Sequence, residues 1–373
     1  MATSTLPLSR SIPLEQSSLW LRTRRWDLTF ITLSVVLVPI PYLTWLLLNR
    51  LHANPDDTRN AVNLLVAFAV GGPHMYATFT RTLLDKDFVA KRPAIVKSSI
   101  LIPVVVIALA LFNLELLLTV FFFWASIHVL HQIIFVIEAY DKKKTSALAL
   151  PARAIDYAVV LTALYPVAAY RLIISQDMFI GQNDLGAVIP DFLKQPFFFY
   201  LVTAVFATAV VLFVIKSVRE WRNKTLHVPK ALFIAITAAT ALIVPALGNL
   251  DTAFQGMNTW HSFQYLALTW FINRIREEKG QMHAMPVVEK VSEPGKARSY
   301  YMLLMGFSLG TILVAAAIFA ILHYVLRLEF NAAFDRSYYI AILSFLWMHY
   351  YHDHFLFTEP QAVMNPPAAA LAA

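Results

Sequence analysis

The sequence predicts an all-α integral membrane protein, a polytopic bundle of about ten transmembrane helices. Three observations predict it. Of the 373 residues, 58% are hydrophobic and only 14% are charged, with a mean hydropathy of +0.60. Soluble domains carry about 25% charged residues, so lipid is the better solvent for this chain. Apolar stretches of about 20 residues, enough to cross about 30 Å of hydrocarbon, recur at 26–48, 61–82, 95–113, 116–138, 154–173, 195–216, 230–249, 254–273, 300–325 and 337–357. Finally, Lys and Arg alternate between the two sets of connecting loops.

Taken in order, span 1 is preceded by "SLWLRTRRWDL" (18–28), an interfacial lead-in with Trp20 and Trp26 at headgroup level. Residues 1–25 form a cytoplasmic or interfacial segment without a signal-peptide pattern. Span 2 is followed by Arg81, Lys86, Lys91, Arg92 and Lys97. Spans 3 and 4 are parted by a tight turn near Asn113 and Glu115. Lys142–Lys144 and Arg153 follow span 4, and Arg153 with Asp156 reads as an interfacial pair. Basic clusters also follow spans 6 and 8, and a close turn around Asn249 and Asp251 joins spans 7 and 8.

In all, 24 of the 30 Lys and Arg fall on the side holding both termini. That obeys the positive-inside rule and predicts a multi-pass protein of the plasma or inner membrane with cytoplasmic N and C termini. Residues 26–357 read as one transmembrane domain, and 358–373 as a disordered, low-complexity tail. The formal charge of +7 is then an orientation signal. It does not indicate nucleic acid, although the basic face could receive anionic lipid or an electron-donor protein. The absence of cysteine excludes disulfides, thiolate metal sites, iron–sulfur clusters and cysteine nucleophiles.

Ionisable groups inside spans are costly and point to function. Span 2 carries His74 in "GGPHMYATFTR", whose Gly-Gly-Pro would loosen the helix. Span 4 carries His128, His131, Gln132 and Glu138; span 8 carries His261, Gln264 and Tyr265; span 10 carries His349, His352, Asp353 and His354. Spans 4, 8 and 10 each place a histidine at i and polar groups at i+3 and i+4, which share one helix face. All four spans run in the same direction, and counting residues puts their histidines roughly 10–20 Å from the cytoplasmic boundary. Four polar stripes are therefore expected to meet in one layer. His52, His227 and His283 read as solvated loop residues, and His323 as a helix-end residue.

The residue types suggest a metal centre, because imidazole suits Fe, Cu and Zn. His74, His128, His131, His261, His349 and His352 are the candidate ligands. Glu138 and Asp353 are candidate proton carriers or bridging ligands. Gln132, Gln264, Tyr265, Tyr76 and His354 are candidates for orienting the imidazoles. Six imidazoles and two carboxylates are enough for two metal ions. Two alternatives stay open. One is a haem b held by two histidines, giving a membrane cytochrome or pigment-binding electron carrier. The other is a proton- or metal-coupled transporter, disfavoured by the lack of an inverted repeat. Zinc proteolysis lacks its HExxH motif, and Ser262 beside His261 points away from it on a helix.

With its many spans, its histidines near the cytoplasmic face and its basic inner loops, the chain resembles the membrane-bound non-haem di-iron desaturases and hydroxylases. The spacing here is HxxH, in spans 4 and 10, in place of the HxxxH and HxxHH boxes of that class. The resemblance implies two non-haem irons, O2 as oxidant and a lipid or other apolar small molecule as substrate.

Overall fold

The computed structural model describes residues 19–51, 54–143 and 150–357. Residues 1–18, His52, Lys144 and the tail 358–373 lie outside the described residues. The fold is all-α apart from one two-residue hairpin, β1 (Phe179–Ile180) paired with β2 (Asn183–Asp184). Among the described residues ten long helical segments follow one another: α1 Arg24–Arg50, α2 Pro55–Phe79, α3 Pro93–Phe112, α4 Leu114–Asp141 and α5 Leu150–Ser175, then α6 Pro196–Arg222, α7 Val228–Ala246, α8 Leu250–Glu278, α9 Ala297–Val325 and α10 Phe330–Leu356.

Eight of these, all but α8 and α10, are long and apolar enough to cross a membrane. α8 and α10 have the length but not the hydropathy. The reason lies in where they sit. α8 packs on α1, α2, α4 and the end of α7, while α10 packs on α2, α3, α4 and α9. Helices covered by other helices can hold polar side chains that a lipid-facing helix cannot. The contrast is plain at the extremes: 72% of the apolar window of α2 is buried, against 6% for α6, which lies outermost against α5.

Local chemistry sets the boundaries. Asn113 caps α4 by accepting from the Leu116 N–H at 3.0 Å, and Asn249 caps α8 from Thr252 at 2.9 Å. These are the two tight turns that the sequence places there. Helix α2 begins six residues before the expected span. Asn54 caps it and Pro55 occupies its first turn. Its Arg59, which precedes the expected span, is buried against Asp335 (3.0 Å) and Asp251 (3.8 Å). Arg171 is likewise buried, donating to the carbonyls of Pro245 and Leu247 and pairing with Asp177.

Two further readings need correction. Arg153 pairs with Glu138 rather than with Asp156. Asp156 is fully buried and is held by Lys216 and by Lys230 at 2.7 Å, while Lys230 also binds Asp141 at 2.5 Å. These charges tie α4, α5, α6 and α7 together where the basic loops gather, here called the basic end. His227 is buried too, and its Nδ1 accepts from the Lys230 N–H at the start of α7. His283 does face solvent, and its imidazole holds the Asp87 carboxyl below the usual carboxylate range.

Candidate metal centre

Helix α2 delivers His74 through an irregular turn. Ala67–Gly71 is a wide, i→i+5 turn, and Gly72-Pro73 restart the α-helix one residue before His74. Such turns re-aim side chains and recur at functional sites. The two glycines allow close approach. A Cβ on Gly72 would overlap the Ser308 hydroxyl of α9, and one on Gly71 would come within 3.2 Å of Asn258 on α8.

The structure brings together His74 (α2), His128 (α4), His261 (α8) and His349 (α10), all buried. One ring nitrogen from each lies within 4.8 Å of all the others. His128 Nε2 is 3.1 Å from the Nε2 atoms of both His261 and His349. His74 stands edge-on, its ring centroid 4.2 Å from that of His349 and 4.7 Å from that of His261. First-row metals bind imidazole at about 2.0–2.1 Å, which puts adjacent ligand atoms about 3 Å apart and opposite ones about 4 Å apart. The four nitrogens fit one ion with little adjustment.

Asp353 lies beside the cluster. Its Oδ1 accepts from Thr78 at 2.8 Å and from Tyr265. Its Oδ2 is buried, has no hydrogen-bond partner, and lies 3.7 Å from the Nε2 atoms of both His128 and His349. A hydroxyl has one hydrogen. Because Thr78 gives its hydrogen to Asp353, it must accept from His349 Nδ1, 2.6 Å away. The His349 proton therefore sits on Nδ1, and the Nε2 lone pair faces the other imidazoles, as a metal ligand requires.

Unpaired polar atoms concentrate here. Both nitrogens of His74, Nδ1 of His261 and Oδ2 of Asp353 are buried without hydrogen bonds. Each such group costs about 1–3 kcal/mol if nothing satisfies it. A cation among the four imidazoles would satisfy one nitrogen of His74 and the Asp353 Oδ2, whereas the His261 Nδ1 lies across the ring from the Nε2 that faces His128. This is the observation that makes the residues fit a metal.

The remaining candidates are placed as follows. His131 and His354 face each other outside the cluster, with ring centroids 5.8 Å apart. His352 turns toward Thr82, 3.1 Å away, and Phe88. Glu138 points to Arg153 at the basic end. Tyr76 bonds Thr311 on α9 and packs on Phe307. Gln132 donates to Gln264 (3.0 Å) and to the His261 carbonyl (3.2 Å), and Gln264 donates to the Ile31 carbonyl at 2.6 Å. That chain fixes the backbone of α8 at His261 rather than an imidazole nitrogen. Tyr265 anchors Asp353.

Sequence reasoning passed over Thr78, although it lies one turn after His74, and also Tyr350, next to His349. The Tyr350 ring stacks on His128 with centroids 4.2 Å apart and 24° between planes. On one side of this pair is an enclosed cavity of about 50 Å³ that touches His74, His128 and His261. On the other is an open, mostly apolar groove of about 450 Å³, lined by Ile127, Ile134, Leu161, Tyr165, His131 and His354. Two aromatic rings separate the groove from the centre.

No family model matches the chain, and neither a curated protein nor a solved structure matches it. Its class rests on its own fold and site. It is an all-helical, apolar-rich protein with a buried four-histidine cluster able to chelate one metal ion. In that plan it resembles the di-iron hydroxylases and desaturases, without their histidine boxes.

Proposed function

We propose that the protein is a membrane-embedded, metal-dependent oxidoreductase that uses O2 to oxidise a lipid-soluble substrate, with one non-haem iron as its metal. The observation that carries this reading is the pairing of a buried four-histidine cluster and Asp353 with an apolar groove that is also lined by His128 and the Tyr350 ring stacked on it. Neutral imidazoles with one carboxylate suit iron. A second ion would need His131 or His352, which face elsewhere, so the geometry favours one ion per chain over two. Four converging imidazoles beside a cavity of about 50 Å³ leave no slot for a porphyrin, so the cytochrome reading has no support from the packing.

Bound iron would supply one-electron and O2-activating chemistry. The chain's own residues do the rest. His74, His128, His261 and His349 hold the metal. Thr78 sets the His349 tautomer, and Tyr265 and Thr78 keep Asp353 aimed at the centre. Tyr350 and His128 form the wall past which an apolar chain from the groove must reach. His131 and His354 offer hydrogen bonds to a polar group on that substrate. Hydroxylation of one C–H would consume one O2, two electrons and two protons and release one water. The electrons require a one-electron donor, and the cytoplasmic basic loops would attract an acidic carrier protein. In this reading all ten helices cross the membrane, α8 and α10 being shielded from lipid by the others.

Metal analysis and an absorption spectrum of detergent-purified protein reconstituted with ferrous iron provide the test. About one iron per chain and no Soret band would support the reading and justify screening lipid products under O2. Two irons would restore a di-iron centre. A Soret band would make the protein a cytochrome, and no metal uptake would sink the proposal.

A further inference from the structure

A buried metal site needs a route by which the ion arrives, and a file of polar groups leads to this one from the end opposite the basic loops. There, an open pocket of about 350 Å³ is lined by Asp56, Arg59, Arg171, Asp177 and Asp251, among others. The enclosed cavity beside the histidines is also lined by Asp251. One residue thus lines both spaces. From it a single chain of hydrogen bonds runs toward the centre. Asp251 accepts from Asn63 (3.3 Å), Asn63 from Gln255 (3.0 Å), Gln255 from Asn258 (3.1 Å) and Asn258 from Ser262 (3.2 Å). Gln255, Asn258, His261 and His74 all line the same cavity.

The charges favour a cation. Among the described residues, the four carboxyls Asp56, Asp177, Asp251 and Asp335 outnumber the guanidiniums beside them, Arg59, Arg171 and Arg336, and the two that line the pocket are pinned. Arg59 is held between Asp251 and Asp335, and Arg171 between Asp177 and two backbone carbonyls. The Gln255 and Asn258 amide oxygens that line the cavity each keep a second lone pair, so a partly dehydrated ion that has passed Asp251 would meet oxygen there. The far-end hairpin closes the file. Gly181, at φ +58°, lies so close to the Arg59 guanidinium that no side chain fits there, and Ile180 reaches into the cavity wall. Toward the basic end the centre is closed by Asp353 Oδ1, which accepts from both Thr78 and Tyr265.

We infer that a divalent metal ion reaches the four-histidine centre from the far, non-basic face, passing Asp251 and the Asn63–Gln255–Asn258 file beneath the β1–β2 hairpin. This rests on the metal centre proposed above, and the test separates the two. Cobalt(II) is the probe, because its visible bands report ligation without any turnover. Apo protein in detergent should take up about one cobalt per chain. In vesicles of known protein orientation, cobalt added on the far side should give the same bands. Cobalt on the basic side, with chelator on the far side, should give none in the same time. Asp251→Asn should slow loading in detergent at least tenfold while reaching the same end spectrum, and Asp251→Glu should restore the rate. Ile180→Trp, which enlarges the hairpin plug, should slow loading without touching the Arg59 ion pairs. Equal or faster loading from the basic side would overturn the route while leaving the centre intact. So would unchanged rates in both Asp251→Asn and Ile180→Trp. Failure to load even in detergent would overturn the centre, and the route with it.

Discussion

At the scale of single residues, the centre is decided by which nitrogen carries a proton. The Asp353 carboxylate sets the direction of the Thr78 hydrogen, and Thr78 in turn leaves His349 only one tautomer that satisfies both bonds. Thr78→Val removes that constraint without adding volume. It should weaken metal binding about 10–100-fold, the usual cost of losing a group that orients a ligand, and Thr78→Ser should restore it. Competition between protein and a chelator for cobalt measures both. The histidines divide on the same principle. His128→Ala or His349→Ala should abolish loading, while His131→Ala should leave it intact, since His131 lines the groove and not the centre. Equal loading in His128→Ala and His131→Ala would show that the cluster is not the ligand set.

At the scale of helices, backbone approach fixes where the imidazoles meet. A Cβ on Gly256 of α8 would overlap the Val38 carbonyl of α1. Gly256→Ala should therefore cost about 1–3 kcal/mol as overpacking, seen as a lower melting temperature in detergent. Gly310→Ala, with nothing within 4 Å in α9, should cost nothing and gain a few tenths to about 1 kcal/mol from helix propensity. Most of this level can be read in the sequence. The polar stripes mark α4, α8 and α10, three of the helices that contribute to the four-histidine cluster, and the Gly-Gly-Pro before His74 marks the irregular turn. What spacing does not give is rotation. Residues i and i+3 differ by about 60° around a helix, enough to send His128 inward and His131 to the groove, or His349 inward and His352 toward Thr82. Which of each pair points to the centre depends on packing between distant helices. The same limit hid Arg59 and Arg171, whose partners lie far away in the chain.

At the scale of the whole molecule, two sets of polar contacts do different work. At the basic end, Asp156, Lys216, Lys230 and Asp141 clamp α4 through α7. Removing one member of such a buried group strands the others, so Asp156→Ala should lose about 3–5 kcal/mol while leaving the cobalt spectrum of the folded fraction unchanged. The histidine centre instead draws one ligand from each of α2, α4, α8 and α10, helices spread across the whole sequence. An ion bound there holds them together only in the folded state, so it must stabilise that state by mass action. With free metal at 100 times its dissociation constant, the gain is about 2.7 kcal/mol. Metal removal should therefore lower the melting temperature and speed hydrogen exchange in those four helices most, while α5 and α6, which supply no ligand, change least. His349→Ala should melt at the same temperature with or without metal. If chelation instead loosened α5 and α6 as much as α10, the stabilising ion would be bound elsewhere, and the four-histidine cluster would be a packing feature rather than the organising centre of the bundle.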